Sequence, residues 1–379
     1  MVLELARGAL RGHKLKLVRT GIMRHKHSDY MHWAKTQSKA RFNLATSGVG
    51  AFPLRDLPFD YSRMEANGSN NSYGYQPLKG AIAGTYGADP DCVVTSEGTS
   101  MANYLAMATI LEPGDEVLIE HPAYGLLADA ALHIGAEVKR FVRPEESGYA
   151  IAPAEIRRAL TPKTKLIVIT NLHNPSSVLT PDSVLREVAD LARSVGARLL
   201  VDEVYLDAVY EGTPRTSFHL GPEVVVTNSL TKVYGLSGLR CGWILAQPDL
   251  ARAMYRLNNV FASIWVHPGE LLSTAAFEHL DMIRDRARRI VEADRAVLAE
   301  FLDQHDEVSA MRTPWGTTSF LRLRHGGADE FLVRLRSEYE TSAAPGRFFG
   351  MPGHFRVGMG VDSEMFREGL RRVGLALAQ

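Results

Sequence analysis

The feature that most constrains the fold is a series of short apolar runs in which hydrophobic and polar residues do not alternate. The six runs are Cys92–Thr95, Glu116–Ile119, Lys165–Thr170, Arg198–Val201, Val224–Thr227 and Gly242–Leu245. Continuous Val, Ile and Leu runs of this length are typical of strands that are buried on both faces of a sheet. Amphipathic helical patterns lie between them, at Met101–Leu111, Pro153–Leu160 and Ser183–Val195. This alternation predicts an α/β domain with a mostly parallel sheet flanked by helices.

The pattern changes after about residue 250. A long helical stretch, Glu270–His305, precedes two strand-like runs, Thr318–Leu323 and His354–Gly358, which predicts a smaller α+β domain. A chain of 379 residues is also too long for one ordinary core. The expected division is an N-terminal arm at 1–45 that packs on the small domain or a partner subunit, a large cofactor-binding domain at 46–255, and a small C-terminal domain at 256–379.

Charge and cysteine content exclude several classes of protein. Lysine plus arginine and aspartate plus glutamate both number 43, so neither nucleic acid nor an anionic membrane is an expected partner. The two cysteines lie far apart, which favours a reducing, cytoplasmic location. The apolar runs are too short to span a bilayer, and no metal site is expected. The first 28 residues are basic, but their low serine content favours an arm over a targeting peptide.

Polar residues follow four of the apolar runs. The four segments are Ser96–Ser100, Asn171–Pro175, Asp202–Tyr205 and Asn228–Lys232. In an open α/β sheet, ligands bind at the carboxyl ends of the strands. We therefore expect these four segments to meet in one site.

Lys232 is the most reactive residue among these strand ends. A lysine at the end of a buried strand is costly unless it is paired or used covalently. Burial beside another cation lowers the pKa of an amine, and Schiff-base formation requires the neutral form. The hydroxyl of Ser229 and the guanidinium of Arg240 suit a phosphate dianion.

The segment Ser229–Gly242 closely resembles the lysine motif of the class I/II aminotransferases, which have fold type I and bind pyridoxal 5'-phosphate. The resemblance implies that Lys232 holds this cofactor as a Schiff base, with Ser229 and Arg240 at its phosphate. It also implies that Asp202 pairs with the pyridine nitrogen and keeps it protonated. Tyr205 and Asn174 resemble the residues that contact the phenolic oxygen of the cofactor.

Further motifs match the same family in order. Gly98, Thr99 and Ser100 lie where a strand meets a helix, and this position implies a phosphate cradle of N–H groups and hydroxyls. Either Thr99 or Ser100 is the main donor there. Tyr124, in Glu-His-Pro-Ala-Tyr, matches the aromatic residue that stacks on the cofactor ring.

The residues that resemble the family's substrate contacts lie mainly near the two ends of the part of the chain that matches the family. Arg356 resembles the small-domain arginine that grips the α-carboxylate of the substrate, and a guanidinium fork suits a planar carboxylate. Arg347, in the preceding loop, is the alternative. Gly48 matches a glycine whose backbone donates to the same carboxylate, and Asn174 also contacts the substrate. Ser177 replaces a glycine of the family motif, so we expect its loop to adopt a backbone that non-glycine residues tolerate.

The resemblance implies an aminotransferase that moves an amino group from an L-amino acid to a 2-oxo acid, with a role in amino-acid metabolism and biosynthesis. A lyase or cyclase of the same fold, acting on an amino-acid side chain, is the alternative, because it would share these motifs. The family also implies a homodimer, in which Tyr73 (or Tyr75) reaches the phosphate of the neighbouring subunit. Phe261 and Trp265 suggest a side-chain pocket for a less acidic substrate.

Overall fold

The computed structural model describes residues 25–68, 73–212 and 214–379. The helices in these ranges are α1 (Asp29–Thr36), α2 (Gln76–Tyr86), α3 (Thr99–Ile110), α4 (Gly125–Ile134), α5 (Pro153–Ala159), α6 (Asp182–Ser194), α7 (Pro248–Asn258), α8 (His267–Glu278), α9 (Leu280–Gln304), α10 (Ala328–Tyr339) and α11 (Ser363–Leu377). The strands are β1 (Phe42–Asn43), β2 (Val93–Glu97), β3 (Glu116–His121), β4 (Glu137–Val142), β5 (Thr164–Thr170), β6 (Arg198–Asp202), β7 (Val224–Ser229), β8 (Cys241–Leu245), β9 (Val308–Ala310), β10 (Thr318–Leu323), β11 (Thr341–Ser342), β12 (Ala344–Pro345) and β13 (His354–Gly358).

Seven strands form the central sheet, in the order β2-β8-β7-β6-β5-β3-β4. All of them are parallel except β8, which runs antiparallel to both of its neighbours. The prediction of a mostly parallel sheet flanked by helices is therefore confirmed. The six predicted strands lie within two residues of β2, β3, β5, β6, β7 and β8.

Burial on both faces explains the continuous apolar runs. In β6, Leu199 and Val201 pack into one core with residues of α6 and α8, while Leu200 packs into a second core with residues of α3, α4 and α7. In β5, Ile167 and Val168 face the two cores in the same way. Because successive side chains of a strand point to opposite faces, most positions in such a strand are apolar.

A second sheet of four antiparallel strands, in the order β12-β13-β10-β9, packs with α9, α10 and α11 around a third core. The predicted helix Glu270–His305 is instead two helices, α8 and α9, which are interrupted at His279. Phe277 of α8 and Ile283 near the start of α9 both pack in the core on the central sheet, and α9 then continues to the third core, where Phe301 packs.

The segment before the central sheet packs against the C-terminal part of the chain. Helix α1 begins after Ser28, whose Oγ accepts a hydrogen bond from the Met31 N–H at 3.4 Å. Tyr30 of this helix packs with Phe349 and Phe320, and β1 pairs in parallel with β11. None of the helices in the described ranges combines the length and the apolar character that a membrane span requires.

Candidate active site

The four polar segments that follow the strands meet at one edge of the central sheet, as predicted from their positions. They line a cavity of about 490 Å³, together with residues of α1 and β13. The predicted site residues that line this cavity are Gly48, Thr99, Ser100, Tyr124, Asn174, Asp202, Tyr205, Ser229, Lys232, Arg240 and Arg356. The cavity therefore brings together nearly all of the residues that the sequence singled out.

Lys232 lies three residues beyond the end of β7, and its amine points into this cavity. Its Nζ donates to Ser47 Oγ at 2.9 Å. Burial and the positive charge of Arg356 together lower the pKa of Lys232 to about 8, although the negative charge of Asp202 opposes the shift. A much larger share of this amine than of an ordinary lysine is therefore neutral, and hence nucleophilic, near physiological pH, although the protonated form still predominates.

Gly48 allows its segment to lie directly against Lys232. The N–H of Val49 donates to the carbonyl oxygen of Lys232 at 2.7 Å. A Cβ on Gly48 would come within 2.9 Å of both the Cα and the carbonyl oxygen of Lys232, which is too close for any side chain. This close approach is a structural demand on Gly48 that the sequence motif did not indicate.

Asp202 is the last residue of β6, and its carboxylate is almost completely buried. Its Oδ2 accepts a hydrogen bond from Asn103 Nδ2 at 2.7 Å, and its Oδ1 accepts one from the Val204 N–H at 3.1 Å. Burial raises the pKa of Asp202 to about 6, and these two hydrogen bonds oppose the shift. Sequence reasoning missed Asn103, although it is a polar residue on the otherwise apolar buried face of α3.

A group of donors surrounds the start of α3. Gly98, with φ of 79°, precedes the helix, and a Cβ there would lie 2.6 Å from Arg240 Nη2. The missing side chain lets Arg240 reach across the end of β2, where it donates to the Glu97 carbonyl at 2.7 Å. Thr99 Oγ1 donates to Ser229 Oγ at 2.8 Å. Hydroxyls, a guanidinium and a helix N-terminus in one place fit a phosphate dianion.

Arg356 is the buried arginine of the cavity. Its Nη1 donates to Asn174 Oδ1 at 2.9 Å and its Nη2 donates to Tyr30 Oη at 3.1 Å, while its Nε has no partner among the described residues. Arg347 instead lies outside the cavity and pairs with Asp329. The geometry therefore favours Arg356 over Arg347 as a carboxylate ligand. Tyr30 was not predicted, because the segment that contains it matches no family motif.

Two more tyrosines border the cavity. The ring of Tyr124 packs edge-on against the ring of Tyr30, with their centroids 5.1 Å apart. Tyr205 lies deeper, and burial raises the pKa of its hydroxyl to about 12, although the nearby Arg356 opposes this shift. Both hydroxyls therefore remain protonated, and able to donate hydrogen bonds, at physiological pH.

Tyr73 and Tyr75 differ in exposure. Tyr73 is 44% exposed and does not line the cavity of its own chain. Tyr75 turns inward, where its N–H donates to Glu270 Oε1 at 3.3 Å. Tyr73 is therefore the more accessible of the two side chains for contact with another subunit.

One other expectation from the sequence is not met. Ser177 keeps a glycine-like left-handed backbone, with φ of 60°, and its Oγ donates to the carbonyl oxygen of Thr318 at 2.8 Å. This hydrogen bond helps to hold a conformation that L-residues rarely adopt. Phe261 and Trp265 do not line the cavity of their own chain, because Trp265 is buried in the second core and Phe261 packs beside Tyr104, so the less acidic substrate pocket stays a prediction.

Comparison with known proteins places this architecture in a family. The family model described as aminotransferase class I and II matches residues 54–373. The capreomycidine synthase of Streptomyces vinaceus is 29% identical over 306 residues, which cover 80% of this chain and 79% of that protein. The arginine–pyruvate transaminase of Pseudomonas aeruginosa is 26% identical over 305 residues, which cover 77% and 76% of the two chains.

Solved structures give the same result for the fold. A pyridoxal-phosphate-dependent aminotransferase from Streptococcus suis superimposes with a TM-score of 0.86 at 26% identity, covering 92% of this chain and 96% of that one. The pyridoxal-phosphate-dependent cyclase OrfR superimposes with a TM-score of 0.82 at 24% identity, covering 93% and 97%, and this likeness concerns the fold alone. The predicted family and cofactor are therefore confirmed. The chain belongs to the class I and II aminotransferases, a family of enzymes that use pyridoxal 5'-phosphate.

Proposed function

We propose that this enzyme transfers an amino group from an L-amino acid to a 2-oxo acid. The observation that carries the proposal is the pairing of two groups in one cavity. Lys232 supplies an amine of lowered pKa, and Arg356 supplies a buried guanidinium whose Nε is unpaired. An amine that can gain and lose a proton beside a fixed carboxylate ligand is what proton transfer at the α-carbon of an amino acid requires.

Several residues would hold the cofactor. Arg240, Thr99 and Ser229 would bind its phosphate, Lys232 would be its point of covalent attachment, and Asp202 would accept a hydrogen bond from its ring nitrogen. When bound, pyridoxal phosphate supplies an aldehyde that reacts with amines and a ring that withdraws electrons from the α-carbon. We propose that Ser100, Tyr124 and Asn174 also line its binding site, with Gly98 providing the space for Arg240.

The amine of Lys232 would move the proton at the substrate α-carbon. Its pKa of about 8 lies close to physiological pH, where one group can serve both as base and as acid. Ser47 keeps the Nζ in place through the hydrogen bond at 2.9 Å. The guanidinium of Arg356 would orient the carboxylate of the substrate, and Tyr30 of α1 would help to exclude water from that end of the cavity.

Cyclisation or elimination on the side chain of an amino acid is the second candidate function. The similarity to the capreomycidine synthase favours it, because that relative is 29% identical over most of its length. The same lysine, aspartate and arginine would serve either reaction, so these residues do not discriminate between them.

A single-turnover experiment discriminates between the two candidates. The cofactor-loaded enzyme is mixed with each of the common amino acids in the absence of any acceptor, and the products are quantified. Transamination predicts that about one equivalent of 2-oxo acid is released per site, and that turnover resumes only when a 2-oxo acid is added. Continuous release of ammonia or of a ring-containing product would contradict transamination. The Lys232→Ala variant, as a control, should release neither.

We also propose that the enzyme is a homodimer whose sites are completed across the interface. Val260, Ile264 and Val266 form an exposed apolar surface in the connection between α7 and α8, and Tyr73 is exposed as well. If Tyr73 serves the opposite site, a mixture of Lys232→Ala and inactive Tyr73→Phe chains should regain activity. The reason is that one site of each mixed dimer would carry neither lesion. Two variants that stay inactive after subunit exchange would contradict the shared site.

The remaining assignments are proposals of the same kind. Residues 1–45 would form the arm, 46–255 the large domain and 256–379 the small domain. The pairing of β1 with β11 and the separate third core support this division. A cytoplasmic location and a role in amino-acid biosynthesis are proposed from the two free, buried cysteines and from the family.

A further inference from the structure

A buried chain of hydrogen bonds ends at Asp202. Thr227 Oγ1 on β7 donates to Asn103 Oδ1 at 2.6 Å, and Asn103 Nδ2 on α3 donates to Asp202 Oδ2 at 2.7 Å. Asn103 is 5% exposed and Thr227 is fully buried. The neighbouring residues of α3 that face the sheet, Ala102 and Ala106, belong to the apolar second core. Two polar side chains are therefore buried in an otherwise apolar region, and together they form a chain that ends at one carboxylate.

The chain has a defined direction. The hydroxyl of Thr227 donates to the amide oxygen of Asn103, which leaves the amide N–H₂ to face Asp202. A reversed amide would place its oxygen against a carboxylate oxygen, with no proton between the two acceptors. Asp202 therefore receives an N–H donor at each oxygen, from Asn103 and from the backbone of Val204. Hydrogen bonds to the charged form of a carboxylate favour that form.

We propose that Asn103 and Thr227 are positioning residues that keep Asp202 ionised and hold its carboxylate towards the ring nitrogen of the cofactor. This inference rests on the proposed pairing of Asp202 with that nitrogen. When a buried carboxylate and a ring nitrogen share one proton, an apolar surrounding favours the proton on the carboxylate, because both groups are then neutral. The N–H donor of Asn103 favours the opposite arrangement, with the proton on the ring nitrogen, and only a protonated ring withdraws electrons strongly.

Four other titratable groups face Asp202. The negative charge of Glu120 on β3 raises the pKa of Asp202, and the positive charge of Lys232 lowers it. Tyr205 and Tyr124 stay neutral at physiological pH, because burial raises the pKa of both hydroxyls. All four groups are unchanged when Asn103 or Thr227 is replaced, so a change in the protonation of the ring nitrogen reports on the hydrogen-bond chain.

The protonation of the ring nitrogen can be measured directly in the resting enzyme. Holoenzyme is prepared with ¹⁵N-labelled pyridoxal phosphate, and the ¹⁵N chemical shift is recorded against pH without substrate. We expect the ring nitrogen to be protonated in the wild type. In Asn103→Leu, whose side chain has a similar size but no N–H donor, the ¹⁵N chemical shift should move towards the value of an unprotonated nitrogen. A hydrogen bond to a charged group changes such an equilibrium by roughly 10- to 100-fold.

Variants of Thr227 test the same hydrogen-bond chain even if Asn103→Leu does not fold. Thr227→Val removes the hydroxyl at constant shape and should shift the signal in the same direction by a smaller amount, whereas Thr227→Ser should retain the wild-type signal. The matched control is Thr109→Val, which removes a hydroxyl of the same helix α3 that donates to the Leu105 carbonyl, away from the site. Its signal should equal that of the wild type.

The outcomes separate this inference from the function on which it rests. An unprotonated nitrogen in the wild-type holoenzyme would overturn the role of Asp202, and the present inference with it. A protonated wild type with unchanged signals in Asn103→Leu and Thr227→Val would overturn the inference alone, and would leave Asn103 as a packing residue of α3.

Discussion

Glu120→Gln should destabilise the protein strongly, because it leaves Arg143 without its counter-charge in the interior. Both side chains have no exposed surface, and Arg143 Nη1 donates to Glu120 Oε2 at 2.6 Å. The other carboxylate oxygen accepts from the N–H and the hydroxyl of Thr170 at 2.7 and 2.6 Å. Glutamine keeps the shape but turns an N–H₂ group towards a guanidinium or towards the Thr170 donors. Removing one partner of a buried pair costs about 3–5 kcal/mol.

The expected change in thermal stability follows from the length of the chain. An unfolding entropy of about 2.1 cal/mol/K per residue gives about 0.8 kcal/mol/K for the whole chain, so the midpoint should fall by roughly 4–6 °C. The Asn174 N–H donates to Thr170 Oγ1 at 2.9 Å, so the loop that carries Asn174 into the cavity depends on the same carboxylate. We therefore expect the variant to retain less cofactor as well.

Calorimetry of the cofactor-loaded protein at neutral pH measures the midpoint. The matched control is Asp249→Asn, which breaks a surface pair with Arg252 in which the aspartate is 99% exposed, and which should cost about 1 kcal/mol or less. The double variant Glu120→Leu/Arg143→Met should recover part of the loss, because no unpaired charge remains. A midpoint for Glu120→Gln equal to that of the control would refute the reasoning.

Three further predictions concern the cavity. Arg356→Lys keeps the positive charge but loses the two parallel N–H donors of the guanidinium, so the KM for the amino acid should rise at least about 10-fold with a smaller change in kcat. Steady-state kinetics in which only kcat fell would contradict this prediction. The rate at which apoenzyme captures pyridoxal phosphate covalently should rise with pH and level off above about 8, because the neutral amine of Lys232 reacts; a rise that continues to pH 10 would show an ordinary lysine. Gly48→Ala should reduce the cofactor retained after dialysis, because its Cβ would meet the backbone of Lys232, whereas Gly80→Ala, which faces open space, should retain it fully.

The central sheet was predictable because its strands are buried on both faces. Each continuous apolar run then marks a strand, and the polar residue that follows it marks the cavity edge, as for Asp202 after β6. The strand β4 escaped prediction because it lies at the edge of the sheet, where only Phe141 is buried and charged residues occur on both faces. A strand that is mostly exposed leaves no continuous apolar run in the sequence.

The partners of the site residues were not predictable, because they come from distant parts of the chain. Asn103 is 99 residues from Asp202, Ser47 is 185 residues from Lys232, and Tyr30 is 326 residues from Arg356. Family motifs identify the residues that we propose to touch the cofactor, but the side chains that orient them depend on how elements pack. Tyr30 shows this most clearly, since the packing of α1 alone brings it to the arginine.

The reversed direction of β8 determines where loop length can vary in this enzyme. Because β8 begins at the edge where β7 ends, the connection from Leu230 to Arg240 stays beside the cavity and closes with hydrogen bonds, including one from the Leu230 N–H to the Cys241 carbonyl at 3.0 Å. Lys232 and Arg240 therefore belong to one connection, and inserting a residue there would displace the proposed covalent anchor and the proposed phosphate ligand together. Redesign of this enzyme for new substrates should leave that connection at its present length and should vary the α1 side of the cavity instead.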